Sequence, residues 1–423
     1  MNIEQKINSQ LQKYPELKKI IKRCYQLACY TCSPKIKSEG HMTSLCPNDG
    51  MEYFFGYYDK TPWDESGRYV LCLRAKDTSR YPDPVEPAEL VLIDSEANMH
   101  ITHLSYTHAW NVQQGCMAQW LDVNGGGKKI IFNDFNGGGY YCSYVLDINT
   151  GKKQELSMPV YTVSADGKIA LTLDFARLHN LRPGYGYAIL PEKTKDVPLP
   201  DETCIWRMSI ETGEVVPLLK YTDFAKFQPR PEMQEKGSVH KVNHLMLSPN
   251  GKRFMVLYRW FCGHRKYTRL ITCNVDGTDM YLLSDDDMVS HCYWKNDDEI
   301  IAFENKNGEG PGYYLMKDKT QEWRHLWPQL NSDGHPSYSP TDDDLVVFDT
   351  YPSRSRIQEV KICRDTDIEG KDLKVVARVL SPFKYDNDTR CDLHPRWSRD
   401  GKKVCFDSVF EGHRGLYVVE IGE

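Results

Sequence analysis

Four of the thirteen histidines, His244, His291, His335 and His394, occupy the same place in a phrase that the chain repeats. The phrase is an aromatic or apolar pair, a Ser or Asp position, a turn ending in Gly, and a β-rich run. Each of the four histidines stands four residues before the Ser/Asp position. Neutral imidazoles that converge either hold a metal ion or move protons. A single histidine at such a place more often caps an element than binds anything, but four in one register argue for a shared site. Asp392 and Cys391, just before His394, offer further ligand atoms. An octahedral Mn²⁺-type site, a Ca²⁺ site and a Zn²⁺ site are all chemically compatible with such a set.

The repeat that sets this register has seven copies. The clearest are Arg396-Trp397-Ser398-Arg399-Asp400-Gly401 before KKVCFDS, Leu247-Ser248-Pro249-Asn250-Gly251 before KRFMVLYRW, and Val163-Ser164-Ala165-Asp166-Gly167 before KIALTLDF. Trp63 to Gly67, Trp120-Leu121 with a GGG turn, Trp294-Lys295-Asn296 and Tyr338-Ser339-Pro340 begin the others. Each copy predicts a strand, a tight turn with Asp/Asn-Gly chemistry and a second strand, with further strands following. Copies spaced mostly 44 to 59 residues apart, with about four strands each, describe blades. The expected fold is therefore all-β, a seven-bladed β-propeller over residues 46–423, with residues 1–45 as a short helical N-terminal extension packed outside it. A long interval of 84 residues between Ser164 and Ser248 predicts an insertion at about 177–238. A two-domain β-sandwich is the competing architecture, and it gives no reason for sevenfold repetition.

In a propeller the residue just before the innermost strand lies near the central channel, so the four histidines should meet there. The next strand returns to the same face, and its ends read Asp134, Asp174, Arg259, Glu304, Asp349 and Asp407, with Tyr351 and Arg354 following in a loop. Some of these are expected to be a solvated rim. Arg259, Asp349 and Arg354 are candidates for a charged, hydroxyl-rich ligand. The insertion carries Arg182-Pro183-Gly184-Tyr185-Gly186-Tyr187, a loop whose rings could cover a pocket, and Arg207 follows where a strand resumes.

Several phrases together resemble the seven-bladed propeller polysaccharide lyases, meaning the oligogalacturonate lyases, the ulvan lyases and their uncharacterised relatives. These are Asn111 to Gly115, Gln119-Trp120, Phe132-Asn133-Asp134, Arg182 to Tyr187, Asn243-His244-Leu245, Asp333 to Pro336 and Arg390 to Ser398, spread over residues 50–420. The resemblance implies β-elimination on a 4-linked uronic acid, which needs a base for the C5 proton, an acid for the leaving O4 and positive charge to neutralise the carboxylate. On the oligogalacturonate lyase pattern His244 is the base, and a divalent metal (Mn, Zn or Ca) is held by His291, His394 and Asp392, with His335 in the same register. On the ulvan lyase pattern Tyr185 or Tyr187 and Arg207 are the proton-transfer and charge-neutralising residues. The resemblance also makes Tyr58 and Gln114 candidate substrate contacts. The ulvan-type histidines of an early blade are missing, since no His lies between His108 and His179. That shifts the weight to His244 and the metal.

Composition narrows the alternatives. A net charge of −6 with 26% charged and 40% hydrophobic residues excludes a disordered chain and gives no reason to expect nucleic acid. No apolar run approaches the roughly 18 residues of a membrane span. The polar start, Met1 to Lys22, and the scattered cysteines predict a cytoplasmic protein that keeps its thiols. Cys24, Cys29, Cys32, His41 and Cys46 could form a zinc knot, but cysteines on a packed helix are the simpler reading. The expected partner is a uronate-containing oligo- or polysaccharide, with no nucleic acid and no membrane. The alternative function is a non-catalytic carbohydrate- or protein-binding propeller with a structural metal, linked to surface glycan assembly. No Gly-x-Ser-x-Gly elbow is present to support a hydrolase.

Overall fold

The computed structural model describes residues 15–33, 36–80, 86–121 and 128–422. The GGG turn expected after Leu121 lies outside these residues. Seven antiparallel sheets are arranged as blades, whose innermost strands are Glu52–Phe54, Gln119–Trp120, Thr162–Val163, Val239–Leu247, Val289–Trp294, Ser337–Tyr338 and Arg396–Trp397. Apolar clusters fill the spaces between neighbouring blades: Met255, Leu257 and Leu270 of blade four pack with Val289, Trp294 and Ile300 of blade five.

The repeated phrase has a physical explanation. In blade three Ser164 Oγ donates to Asp166 Oδ1 at 2.6 Å and Gly167 N donates to Ser164 O at 2.8 Å. The same pair of bonds recurs at Ser398, Asp400 and Gly401 in blade seven. The closing glycines Gly67, Gly167, Gly251 and Gly401 all have φ between 68° and 71°, a left-handed conformation that carries a steric cost for residues with a Cβ. The tryptophan before the Ser/Asp position ties its blade to the previous one. Trp120 Nε1 donates to Pro62 O, Trp294 Nε1 to Met246 O and Trp397 Nε1 to Ser337 O. These rings bury area while using their one donor.

The N-terminal segment differs from expectation. A helix, α1, spans Pro15–Cys32. Residues 38–44, expected within a helical extension, instead form two strands. Ser38–Glu39 adds a fifth strand to blade six, and Met42–Ser44 pairs with Gly415–Glu420 as the outer strand of blade seven. The chain therefore closes its last blade with a strand from its beginning, and the propeller reaches back before residue 46. A protein starting at residue 46 should show a clearly lower Tm and aggregate through its open edge. One starting at residue 36 should melt close to the full chain. Thermal unfolding of the two compares them directly.

The insertion is two pieces. Residues 174–202 separate the second and third strands of blade three, beginning with helix Phe175–Leu181, which Asp174 caps through Arg177 N at 2.9 Å. Helices Tyr221–Lys226 and Pro231–Gln234 precede blade four. Buried Arg177 anchors the first piece, bonding to Glu192 and to His240 O. Among the described residues no helix is long and apolar enough to cross a membrane.

Candidate active site and metal centre

The four in-register histidines meet. Ring centroids lie 5.5 Å apart for His244 and His291, 4.1 Å for His291 and His335, and 4.3 Å for His335 and His394. Irregular backbone aims them. The inner strand of blade four breaks its ladder between Asn243 and Met246, and that of blade five between Val289 and Cys292, placing His244 and His291 at bulges. His244 and His394 have φ of 54° and 45°, a conformation that is uncommon for a residue with a bulky side chain.

Two tyrosines that the repeat did not single out fill the space between them. The segment after Glu52–Phe54 brings Tyr57 against His244, His335 and His394, and Tyr58 against His291, His335 and His394. Gly56, at φ 123°, allows this path, because a Cβ there would lie 2.5 Å from the Gln114 backbone. The Tyr57 hydroxyl lies 2.7 Å from His244 Nε2. Burial raises the Tyr57 pKa well above its usual value, so the phenol keeps its proton. Tyr58 spends its hydroxyl on the backbone of Cys292, donating to its O at 2.8 Å and accepting from its N at 3.1 Å.

One half of the site has the chemistry of a metal centre. His335, Asp392 and His394 place one ligand atom each within 4.8 Å of one another. Asp349 accepts from His335 Nδ1 at 2.7 Å and from the backbone N of His335 and of His394 at 2.8 and 3.0 Å. The His335 Nε2 and His394 Nε2 atoms are buried without a partner. A carboxylate on one imidazole nitrogen and an empty lone pair on the other is the arrangement that presents histidine to a cation. Asp392 is held by Arg390 at 2.5 and 2.8 Å. The residues thus fit a divalent ion. Asp349→Asn should weaken Mn²⁺ or Zn²⁺ binding by about 10–100-fold, as measured by calorimetric titration.

The other half is a cavity of about 150 Å³ lined by the cations Arg182, Arg259 and Lys266, by His244, His291 and Asp333, and by Tyr185 and Tyr351. Burial, then the Arg259 charge, hold the His244 pKa well below 6.5, so the ring is a free base at neutral pH. Burial also lowers His394 and His291, the latter although Asp333 accepts from its Nδ1 at 3.0 Å. At His335 burial pulls the pKa down, but Asp349 outweighs it and the net shift is upward. Arg259 is buried, and its Nε has no partner. Arg182 stacks 4.4 Å over the Tyr185 ring. A larger cavity, about 430 Å³, lies at another surface of the propeller, where its Asp59 and Lys60 pair with each other at 2.7 Å.

The structure brings His244, His291, Arg259 and Tyr185 to the cavity, with His335, His394, Asp392, Asp349 and Tyr58 directly beside it. Asp349 hydrogen-bonds His335 and His394 and is not among the residues that line the cavity. Four candidates lie elsewhere. Tyr187 stacks on Phe175 at 4.5 Å and accepts from Asn133 Nδ2 at 2.9 Å, because Gly186 at φ 66° turns the loop and sends the two tyrosines apart. Arg207 sits mid-strand in blade three, paired with Leu171 and Val216. Gln114 donates to Tyr161 Oη inside the core. Arg354 reaches α1, with Nη1 3.2 Å from Tyr25 Oη. The suggested Cys24, Cys29, Cys32, His41 and Cys46 cluster is not assembled, for the group around His335 is the one that forms among the described residues. Sequence reasoning did not single out Tyr57, Arg182 or Lys266 as site residues. Arg182 alone had a signal there, in the Arg-Pro-Gly-Tyr-Gly-Tyr loop.

This architecture has counterparts of known structure. An oligogalacturonate lyase from Vibrio parahaemolyticus superposes with a TM-score of 0.59 over 91% of this chain and 97% of its own, at 13% identity. An oligogalacturonate lyase in complex with manganese superposes with a TM-score of 0.63 over 92% and 96%, at 16% identity. The chain shares the seven-bladed propeller fold of these two structures. No family model and no curated protein sequence matches it. The likeness therefore speaks for the seven-bladed architecture over nearly the whole of both chains, and the chemistry rests on the residues above.

Proposed function

We propose that this protein is a carbon–oxygen lyase that cleaves a uronate-containing oligo- or polysaccharide by β-elimination. The observation that carries the reading is a buried His244 that lines one small cavity together with Arg259, whose Nε has no partner. Arg259 and Arg182 bind the uronate carboxylate and neutralise it, which makes the C5 proton more acidic. His244 takes that proton. The C5–H electrons form the C4=C5 double bond, the C4–O4 bond breaks with its electrons on O4, and O4 is protonated. Tyr185, on the cavity wall, is placed to give that proton. Tyr57 does not line the cavity and acts by holding the His244 ring.

His335, His394 and Asp392 would hold a divalent ion, which supplies additional positive charge beside the carboxylate. The manganese bound by the structurally similar lyase supports a site of that kind. Tyr185→Phe should lower kcat about 10²-fold or more with the fold intact. Tyr187→Phe should leave kcat close to that of the wild type and lower Tm, since it removes one of the two acceptors of the buried Asn133 Nδ2. The reading is tested by incubating the metal-loaded protein with oligouronates and following the ultraviolet absorbance of the unsaturated product. A rise is expected, and its absence with every uronate glycan would contradict the proposal.

A further inference from the structure

Helix α1 turns its apolar residues to solvent. Leu17, Ile20, Ile21, Tyr25 and Leu27 are 42–60% exposed, and they are half of the large apolar side chains left open among the described residues. The other half stand singly along the chain. Leu17, Ile20, Ile21, Cys24, Leu27 and Ala28 are all exposed and follow the 3.6-residue period. They form one stripe along a helix about 27 Å long. Single exposed apolar side chains are ordinary, but a contiguous stripe marks a surface that meets something.

The opposite face of α1 is spent on the propeller. Arg23 Nη1 donates to Asp386 Oδ2 at 2.6 Å, and its guanidinium lies 4.2 Å over the Phe383 ring. The Tyr30 ring meets Phe383 edge-on at 5.2 Å. Phe383 and Asp386 lie in the connection between blades six and seven. These contacts fix the orientation of the helix, with Arg23, Gln26 and Tyr30 inward and the stripe outward.

Charge decides what the stripe meets. The sequence of α1 holds four cations, Lys18, Lys19, Lys22 and Arg23, against one acid, Glu16, in a chain whose net charge is −6. A second copy laid on the stripe would bring two cation-rich helices together, which repel. An anionic lipid surface satisfies both features at once. Its headgroups neutralise the positive charge, and its acyl boundary takes the stripe. The acidic body is repelled by the same surface, so α1 is the part that approaches it. The expectation of no membrane follows from the lack of a spanning run and concerns crossing. Lying on a bilayer needs only a one-sided helix.

We propose that α1 is an interfacial anchor that seats the protein on an anionic lipid bilayer. Leu17, Ile20, Ile21 and Leu27 enter the boundary between headgroups and acyl chains, and Tyr25 stays at headgroup level. Arg354, which bonds to Tyr25, follows Tyr351 of the cavity wall by three residues, so the docked helix stands beside the cavity.

The test is flotation of the full-length protein with two kinds of vesicle, phosphatidylcholine alone and phosphatidylcholine with phosphatidylglycerol in equal parts. The protein should bind the mixed vesicles about tenfold more tightly or better than the neutral ones. Added NaCl should weaken that binding, because it screens exposed charges. Leu17→Gln/Ile20→Gln/Ile21→Gln should release the protein from both vesicles with Tm unchanged, since these side chains already stand in water. Lys22→Glu should weaken binding to the mixed vesicles alone. No glycan is present in these measurements, so the anchor stands or falls apart from the chemistry at the cavity. Wild-type protein that floats with neither vesicle, or a triple variant that floats as well as the wild type, would overturn it. So would a dimer in sedimentation velocity that the triple variant dissolves, since a second copy would then cover the stripe. A fall in the Tm of the triple variant would show that the chain covers the stripe itself, and would overturn the anchor equally.

Discussion

Replacing His244 is expected to lower turnover of a uronate glycan by about two to four orders of magnitude while the propeller remains folded. The size follows from the role: a positioned general base contributes about that much, and no other neutral imidazole stands on the cavity beside the cations in the same way. His291, the other histidine there, is engaged by Asp333 through Nδ1. The choice of substitution matters, because His244 has φ 54° and is the partner of buried Tyr57. Alanine would be strained at that φ and would leave the Tyr57 hydroxyl unpaired, at a cost of about 1–3 kcal/mol. Asparagine accepts the left-handed conformation more readily and can still bond to Tyr57, yet it cannot accept the C5 proton. His244→Asn should therefore lose kcat and keep Tm, and His244→Ala should lose both kcat and several degrees. Full activity in His244→Asn would remove the base from its role.

The second large effect concerns the metal. His335→Ala and His394→Ala should each reduce the bound divalent ion from one per chain to none, as read by elemental analysis after dialysis. Both imidazoles have a buried Nε2 with no partner, and each loss leaves too few ligands to replace the hydration shell. Asp392→Asn should weaken the ion without abolishing it, because Arg390 already shares that carboxylate. The wild-type Tm should rise with Mn²⁺ or Zn²⁺, by an amount corresponding to about 2.7 kcal/mol at a hundred times Kd, and the two alanine variants should not respond. Unchanged metal content in His394→Ala would dissolve the centre.

The propeller and the histidine cluster were legible in the sequence for the same reason. Blades three and seven share a turn closed by a Ser–Asp bond and a left-handed glycine, and Trp120, Trp294 and Trp397 each reach the previous blade, so a common register runs along the chain. The register shared by the inner strands then brings His244, His291, His335 and His394 together. What breaks the symmetry was not legible. Tyr57, unlike its neighbour Tyr58, had no signal, and it sits on a segment of blade one that leaves the regular strand at Gly56. Lys266 depends on a strand of blade four, Arg265–Asn274, that runs to 10 residues. Ser38–Glu39 and Met42–Ser44 are short and polar, and become strands because blades six and seven, more than 300 residues later, offer open edges. The Gly-Tyr-Gly-Tyr loop names two tyrosines, and the turn at Gly186 decides that Tyr185 faces the cavity while Tyr187 enters the core.

The most direct measurement is the mass of the fragments released from a defined oligouronate by the Mn²⁺-loaded protein. Elimination conserves atoms, so the fragments should sum to the mass of the substrate, with one of each pair carrying an ultraviolet-absorbing double bond. That result, abolished in His244→Asn, is what the account predicts. Fragments that together are one water heavier, or an oligouronate recovered intact, would contradict it.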